Sequence, residues 1–204
     1  MSVSIYKLSW QNTQVVDGIQ YVCGFCGTFV GPRQGYFTAP VGDHQGFVLL
    51  CNYCNRPTFI DRERETNMSI TPSAKMGKSI DYLPPEVEAV YEEARLCTSA
   101  GAYTAAVMLC RKLLMNTAVH EGADEGQKFV RYVNYLASKN LFPPNSKKWV
   151  DYILKKGNEA NHEIVEMTAE DAENLITFSA MLLNLVYEFP KRLLAKDDPE
   201  EPGS

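Results

Sequence analysis

The sequence contains no run of apolar residues long enough to cross a membrane. Its most apolar stretch, residues 175–189, is interrupted by Asn184 and Glu188 and falls short of the roughly 20 residues that a transmembrane helix needs. The first ten residues have neither the basic start nor the apolar stretch of a secretory signal. We therefore expect a cytoplasmic protein without a membrane partner.

An excess of positive charge is also missing. The formal net charge is -5 at pH 7, so the chain as a whole repels polyanions such as nucleic acids. The acidic excess lies in the later part, because residues 1–82 carry 7 basic and 6 acidic side chains whereas the remainder carries 13 and 19. Any nucleic acid must therefore be bound by a local patch.

Six cysteines are present, and four of them form two matched pairs. Two residues separate the cysteines of each pair, which allows both thiolates to bind one ion, and the Gly or Asn after each pair tolerates a turn with positive φ. Four thiolates fill a tetrahedral shell and leave no position for a catalytic water. The pattern predicts a zinc ribbon that holds one structural zinc ion through Cys23, Cys26, Cys51 and Cys54.

The four paired cysteines could instead form two redox-active dithiol motifs, but matched pairs between strand-like segments favour a metal.

The other cysteines and one histidine have simpler explanations. His44 lies between the pairs and is expected to be a loop histidine, because the four ligands are complete without it. Cys97 and Cys110 lie among apolar helical residues and are expected to be buried core thiols.

The hydrophobic pattern changes along the chain. Short strand-like segments and glycines occupy residues 1–62, including two strands predicted to join at an Asp17-Gly18 turn. Residues 63–82 are expected to form a linker, residues 83–196 a helical bundle, and residues 197–204 a disordered acidic tail. The predicted fold class is α+β, with a small N-terminal β zinc ribbon followed by an all-α bundle.

Five helices are expected in the bundle. The first begins at Pro85, which suits a first helical turn. The second, about 102–120, is apolar on most faces and should be central and buried. A third and a fourth lie around residues 129–136 and 149–154. The fifth opens at Thr168, whose spacing to Asp171 indicates a capping box.

The segment from Leu83 to Pro190 resembles the helical family numbered 4145 among domains of unknown function. The matching pieces are Tyr91-Glu92-Glu93-Ala94, Gly101-Ala102-Tyr103-Thr104-Ala105-Ala106, Cys110-Arg111-Lys112-Leu113-Leu114 and Gly157-Asn158-Glu159-Ala160-Asn161-His162. That family looks like a branch of the HEPN superfamily (higher eukaryotes and prokaryotes nucleotide-binding). The resemblance implies a HEPN-like bundle, often dimeric, of the kind frequent in bacterial and phage defence loci.

Many HEPN proteins are metal-independent ribonucleases whose motif is an Arg, four to six residues, then a His. Here five residues separate Lys156 from His162, and Lys replaces the Arg. The resemblance implies His162 as general base and Lys156 or Arg111 as the phosphate contact, with Asn158 and Lys155 as binding residues. The family often shows a Glu where this sequence has Met115, so the acidic partner of Arg111 is absent at that position.

Each of these residues also has a purely structural interpretation. His162 can satisfy free carbonyls at the end of a helix, Asn158 can link helices, and the lysines can form a solvated face. Arg111 is harder to dismiss, because an Arg on an apolar helix needs a partner or must face a cleft.

Three functions remain open at this point. The first is a zinc-containing binding protein of the bacterial or phage defence type, associated with nucleic acid and non-catalytic or weakly catalytic. The second is a metal-independent HEPN-type ribonuclease, and the third is a protein–protein interaction module without a nucleic-acid role. The expected partners are a second copy in a homodimer, RNA or another nucleic acid, and a protein of a defence system.

Overall fold

The computed structural model describes residues 9–64, 67–142, 147–162 and 164–197, except for the side chains of residues 147, 160–162 and 195–197. The chain forms two compact units, Met1–Lys75 and Met76–Ser204. The first is built from antiparallel strands and contains the four paired cysteines, and the second is helical. The predicted α+β class is confirmed.

The N-terminal unit contains two antiparallel sheets. A five-stranded sheet has the order β1-β4-β5-β6-β7, and β2 pairs with β3 in a small hairpin. The core between them is made of a few apolar side chains, among them Phe47, Leu49 and Ile60. The strands are β1 Gln14–Val15, β2 Tyr21–Val22, β3 Phe29–Val30, β4 Gln34–Phe37, β5 His44–Leu50, β6 Pro57–Glu63 and β7 Asn67–Thr71.

The hairpin predicted at Asp17-Gly18 does not form. The two flanking segments are indeed strands, but β1 pairs with β4 and β2 pairs with β3. Gly18 has φ of +82°, so the chain does turn there. The turn directs Val16 and Ile19 into the core, and burial of these side chains outweighs the local preference for a two-residue hairpin.

The segment 63–82 differs from the predicted linker, because it is divided between the two units. Residues 67–71 form β7, which pairs along its length with β6. Further on, Ile80 is buried in the core of the helical unit. The backbone oxygens of Met76 and Gly77 accept hydrogen bonds from Arg95. β7 is a short strand in which apolar Met68 and Ile70 alternate with polar residues, and its pairing with β6 at the sheet edge stabilises it.

The C-terminal unit contains the five predicted helices and a sixth. Its helices are α1 Pro85–Ser99, α2 Tyr103–His120, α3 Phe129–Ser138, α4 Lys147–His162, α5 Ala169–Leu183 and α6 Phe189–Asp197. A π-helical turn, Asn184–Glu188, joins α5 to α6, so the chain stays helical beyond the predicted end. Residues 198–204 of the predicted disordered tail lie outside the described residues.

Helix α2 is the centre of this unit, as predicted. It packs against α1, α3, α4 and α5, and its buried residues include Val107, Cys110 and Leu114. Cys110 is fully buried, and burial raises the pKa of its thiol to about 12. Cys97 is only half-buried but packs against the same core. Within the described part of the chain, no helix combines the length and apolar character needed to cross a membrane.

Helices α4 and α5 face each other through three antiparallel pairs of side chains. Residues 149, 152 and 156 share one face of α4, and residues 171, 174 and 178 share one face of α5. The pairs are Trp149–Phe178, Tyr152–Asn174 and Lys156–Asp171. The resulting seam is aromatic at one end and ionic at the other.

Asp171 is the centre of the ionic end. It completes the predicted capping box, because its backbone N–H donates to Thr168 Oγ1 at 3.1 Å and its Oδ2 accepts from the Thr168 N–H at 3.0 Å. Its Oδ1 accepts from Tyr152 OH at 2.7 Å and lies 3.2 Å from Lys156 Nζ. Burial acts to raise the pKa of Asp171, but these hydrogen bonds and Lys156 outweigh it and lower the pKa to about 2.

This network makes a pH dependence testable. A carboxyl whose pKa is lowered on folding stabilises the fold above its unfolded pKa, and this stabilisation is lost as the pH falls from about 4 towards 2. Asp171→Asn should lower the free energy of unfolding by about 2 kcal/mol near neutral pH. The difference from the unmodified chain should shrink below about pH 4. Urea unfolding followed by the helical circular dichroism signal measures both values.

Glu170→Gln is the matched control, because Glu170 lies on the same helical turn with an exposed side chain. It should change the unfolding free energy little at any pH. A difference between Asp171→Asn and the unmodified chain that stayed constant down to acid pH would show that the Asp171 charge does not stabilise the fold.

Candidate metal centre and basic cleft

The two cysteine pairs form two turns of the same geometry. Gly27 N–H donates to Cys23 O at 2.8 Å, and Asn55 N–H donates to Cys51 O at 2.8 Å. Gly27 has φ of +70° and Asn55 has φ of +56°, which is the positive φ expected of both residues from the sequence. The turns are therefore equivalent knuckles, each closing after its second cysteine.

Each knuckle is held by a pair of strands. Cys23 N–H donates to Thr28 O at 2.9 Å and so extends the β2–β3 hairpin by one rung. Cys51 N–H donates to Arg56 O at 3.0 Å and does the same for β5 and β6. Because two hairpins supply the two knuckles, the positions of the cysteines are set by sheet hydrogen bonds rather than by a mobile loop.

The four sulfur atoms lie together. Cys23 Sγ is 3.8 Å from Cys54 Sγ, and Cys26 Sγ is 3.8 Å from Cys51 Sγ. All four lie within 4.8 Å of one another. A tetrahedral ion with metal–sulfur bonds of about 2.3 Å, the value for zinc, places its ligands about 3.8 Å apart. Both short distances join one knuckle to the other, so the four cysteines form one cluster that can hold a metal ion.

The electrostatics of the cluster also suit a cation. Burial raises the pKa of the Cys23 thiol, and it raises the pKa of Cys54 to about 12. Burial acts in the same direction on Cys26, but hydrogen bonding with Thr28 outweighs it and lowers the pKa to about 7. Burial thus favours the neutral form of the Cys23 and Cys54 thiols, and a bound cation would be needed to stabilise them as thiolate ligands.

His44 takes no part in this cluster. It is the first residue of β5, not a loop residue as predicted, and its Nδ1 lies 3.4 Å from Asp61 Oδ1 on the neighbouring strand β6. Both side chains are exposed. Among the described residues the candidate ligands are the four cysteines alone, as the completeness of the tetrad indicated.

In the helical unit, Arg111 of α2 reaches across to α4. Its Nη1 donates to Gly157 O at 3.0 Å and to Asn158 Oδ1 at 3.2 Å. The guanidinium carbon lies 4.1 Å from the centre of the Phe129 ring. The structure thus brings together two of the residues singled out in the sequence, Arg111 and Asn158.

Lys156 and Lys155 do not join this group. Positions 156 and 158 point to opposite sides of α4, since each residue of a helix turns by roughly 100°. Lys156 Nζ lies 3.2 Å from both Asp171 Oδ1 and Glu159 Oε2. Partial burial acts to lower the pKa of Lys156, but the two carboxylates outweigh it and raise the pKa. Lys155 is exposed, with Nζ 3.7 Å from Glu159 Oε1.

The remaining predicted site residue, His162, is the last residue of α4, and its side chain lies outside the described part of the structure. The sequence predicted Lys156 or Arg111 as the phosphate contact that acts with His162. In the structure these two cations lie on different sides of α4: Lys156 belongs to the ion-pair network with α5, and Arg111 contacts Gly157 and Asn158.

Two residues of the Arg111 group were not singled out from the sequence as site residues, Phe129 and Gly157. A Cβ on Gly157 would lie 2.5 Å from Phe129 Cε1, so only glycine allows α4 to approach α3 this closely. A glycine inside a helix costs about 1 kcal/mol relative to alanine, and that unfavourable choice is the signal that the sequence offered.

An open cleft of about 490 Å³ lies beside Arg111 on the outer face of α2. Arg111 and Lys112 supply its positive charge, Asn116 and Tyr132 its other polar groups, and methionines much of its apolar wall. One of those methionines is Met115. The cleft therefore contains two cations and, among its lining residues, no acidic side chain. Its lining residues are Met108, Leu109, Arg111, Lys112, Met115, Asn116, Val119 and Tyr132.

Residues 92–198 match the model of a protein family described as Domain of unknown function (DUF4145), which covers just over half of the chain. The chain belongs to this family. The DUF4145 match begins within α1 and reaches the end of α6, so it corresponds to the helical unit, and the four clustered cysteines lie outside it. No curated protein and no solved structure matches the chain.

Proposed function

We propose that this member of the DUF4145 family is a non-catalytic nucleic-acid-binding protein. In this proposal, Arg111 and Lys112 contact phosphate groups in the cleft on α2, and a zinc ion holds the ribbon together. The defence setting and the relationship to HEPN bundles rest on the sequence resemblance and are part of the proposal.

The observation that carries the proposal is the charge of Arg111. Its side chain is half-buried, and desolvation lowers the pKa of the guanidinium, which stays charged near neutral pH. Its hydrogen bonds to Gly157 O and Asn158 Oδ1 use neutral acceptors, and no ion pair joins it to another described residue. A partly desolvated cation without a counter-ion is unfavourable, and an anionic ligand would offset that cost.

A phosphate is the anion that this arrangement fits. Nη1 is occupied by α4, and the other nitrogens of the guanidinium make no hydrogen bond within the described structure, so they are left to form the fork that binds phosphate oxygens. Lys112 adds a second cation, and Tyr132 and Asn116 line the same cleft. Two phosphate contacts on a chain with net charge -5 predict modest affinity for a single strand, with a salt slope of about −1.4.

The engagement of Lys156 is the reason for proposing binding without catalysis. In the ribonuclease motif a cation beside His162 would stabilise negative charge on the phosphate. Here that position is a lysine, and Asp171 and Glu159 both pair with it. A cation with two carboxylate partners adds little net charge to a neighbouring site, so His162 would act without this help.

Single-stranded RNA binding by Arg111 variants tests the proposal. Fluorescence anisotropy with a labelled RNA should show that Arg111→Gln weakens binding about 10- to 150-fold, the equivalent of losing one or two charged hydrogen bonds. Arg111→Lys should keep part of the affinity, because it keeps the charge and loses the fork. The salt slope should fall by about 0.7 in Arg111→Gln. The RNA should stay intact throughout the titration.

Arg131→Gln is the matched control, because Arg131 is an exposed arginine of α3 that does not line this cleft. Equal losses in both variants would indicate a general charge effect and contradict the assignment to Arg111. Metal-free cleavage of the RNA that disappears in His162→Ala would contradict the non-catalytic proposal.

For the ribbon, the proposed ion is zinc, one per chain. Elemental analysis of chain purified without chelator should find it. Cys51→Ser should abolish binding, whereas Cys97→Ser, outside the cluster, should not. Zinc contributes about 10–16 kcal/mol to small zinc folds, so a strong chelator should unfold the ribbon and leave the helical circular dichroism signal largely unchanged. A full complement of zinc in Cys51→Ser, or none in the unmodified chain, would disprove this assignment.

A homodimer through the helical unit is also part of the proposal. Four large apolar side chains are exposed over ten residues at its C-terminal end: Leu185, Phe189, Leu193 and Leu194. Self-association would remove this surface from water. We expect light scattering to give a dimer for the unmodified chain and a monomer for a Leu193→Glu, Leu194→Glu variant. The control is Leu96→Glu, which changes an exposed leucine on α1, and this variant should remain dimeric. A monomeric unmodified chain would refute the homodimer.

A further inference from the structure

A second pocket lies at the aromatic end of the seam between α4 and α5. It has a volume of about 220 Å³ and is lined by Lys148, Trp149, Tyr152 and Asn174. None of these residues lines the Arg111 cleft. Trp149 and Asn158 lie on roughly opposite sides of α4, so the two sites are separate.

Trp149 provides a fixed aromatic surface in this pocket. Its ring is stacked on Phe178 with a centroid distance of 6.2 Å and an interplanar angle of 20°, and the Tyr152 ring meets it edge-on at 6.0 Å. Phe178 is itself buried against Phe142. Despite these contacts Trp149 is 41% exposed. A rigid ring that is partly open can stack with a planar ligand at little cost in conformational entropy.

The polar groups of the pocket are arranged around that surface. Tyr152 OH donates to Asp171 and is thereby oriented, and Asn174 Nδ2 donates to Tyr152 OH at 3.4 Å. The second N–H and the Oδ1 of Asn174 have no hydrogen-bond partner among the described residues. Asn174 therefore offers one donor and one acceptor side by side.

This pair of groups favours one kind of planar ring. An asparagine amide forms two hydrogen bonds with adenine, accepting from N6 and donating to N7. Guanine presents two acceptors on the same edge and cannot be matched in this way. Lys148 is exposed beside the pocket and has no ion pair with a described residue, so it can contact a phosphate attached to the base.

We propose that this pocket binds the adenine base of a nucleotide. The base stacks on Trp149, its Hoogsteen edge pairs with Asn174, and its phosphate lies near Lys148. The site is separate from the Arg111 cleft. The proposal covers both a free nucleotide and an adenine within a single strand.

Tryptophan fluorescence of the metal-loaded full chain tests the proposal directly. The chain has two tryptophans, so Trp10→Phe leaves Trp149 as the reporter. Adenosine monophosphate should quench this signal saturably, and guanosine and uridine monophosphates should quench it far more weakly. Asn174→Asp removes the donor and should weaken binding about 5- to 150-fold. Calorimetry on the chain with both tryptophans should give the same affinities.

The controls separate binding from folding. Lys139→Gln changes an exposed lysine that does not line this pocket, and it should leave the affinity unchanged. Asn174→Asp should keep the helical circular dichroism signal and thermal midpoint of the unmodified chain. If Asn174→Asp fails to fold, Lys148→Gln should still reduce the affinity for the monophosphate while leaving that for adenosine unchanged.

Comparison of adenosine monophosphate with oligoadenylate identifies the source of the base. Quenching by either one supports the pocket. Three results would overturn the proposal: no quenching by either ligand at millimolar concentration, equal quenching by all nucleotides, or the same change with inorganic phosphate alone.

Discussion

The helical unit depends on the contact between Gly157 and Phe129. Because residue 157 has no side chain, α4 can lie against the ring at the start of α3. The same approach brings the Gly157 carbonyl within reach of Arg111, whose guanidinium lies over that ring. Trp149, Tyr152 and Lys156 lie on the side of α4 away from Asn158, where they contact side chains of α5. The close contact at Gly157 therefore positions α4 beside Arg111, and contacts with α5 fix the side chains of the second pocket.

The ribbon depends on a different interaction. Its apolar core is small, and of the ten described residues buried in it three are cysteines of the cluster. A domain with so little apolar area cannot rely on hydrophobic burial alone. Two hairpins bring the sulfur atoms together, and a bound metal ion would in turn hold the hairpins together. The two units thus use separate sources of stability, which suits a chain in which the DUF4145 match covers only the helical unit.

The cysteine spacing, the positive-φ positions Gly27 and Asn55, and the capping box at Thr168 were predictable because each depends on neighbouring residues. The Asp17-Gly18 hairpin failed, since its strands found better partners through burial of Val16 and Ile19. Strand β7 was missed although Met68 and Ile70 alternate with polar residues, because two apolar positions are too short a pattern to identify a strand without its partner β6.

The sequence by itself determined the four clustered cysteines, the division into a β part and a helical part, the family, and the central position of α2. The family follows from the resemblance of its motifs, and the other features follow from spacing, periodicity and composition, which are local properties of the chain. Only the tertiary structure decided that Lys156 pairs with Asp171 and that Arg111 is left without an acidic partner among the described residues. It also decided that the Trp149 ring stays partly exposed in the pocket that it lines together with Asn174. A helix places residues two apart on opposite faces, but which neighbour each face meets depends on packing between elements far apart in sequence.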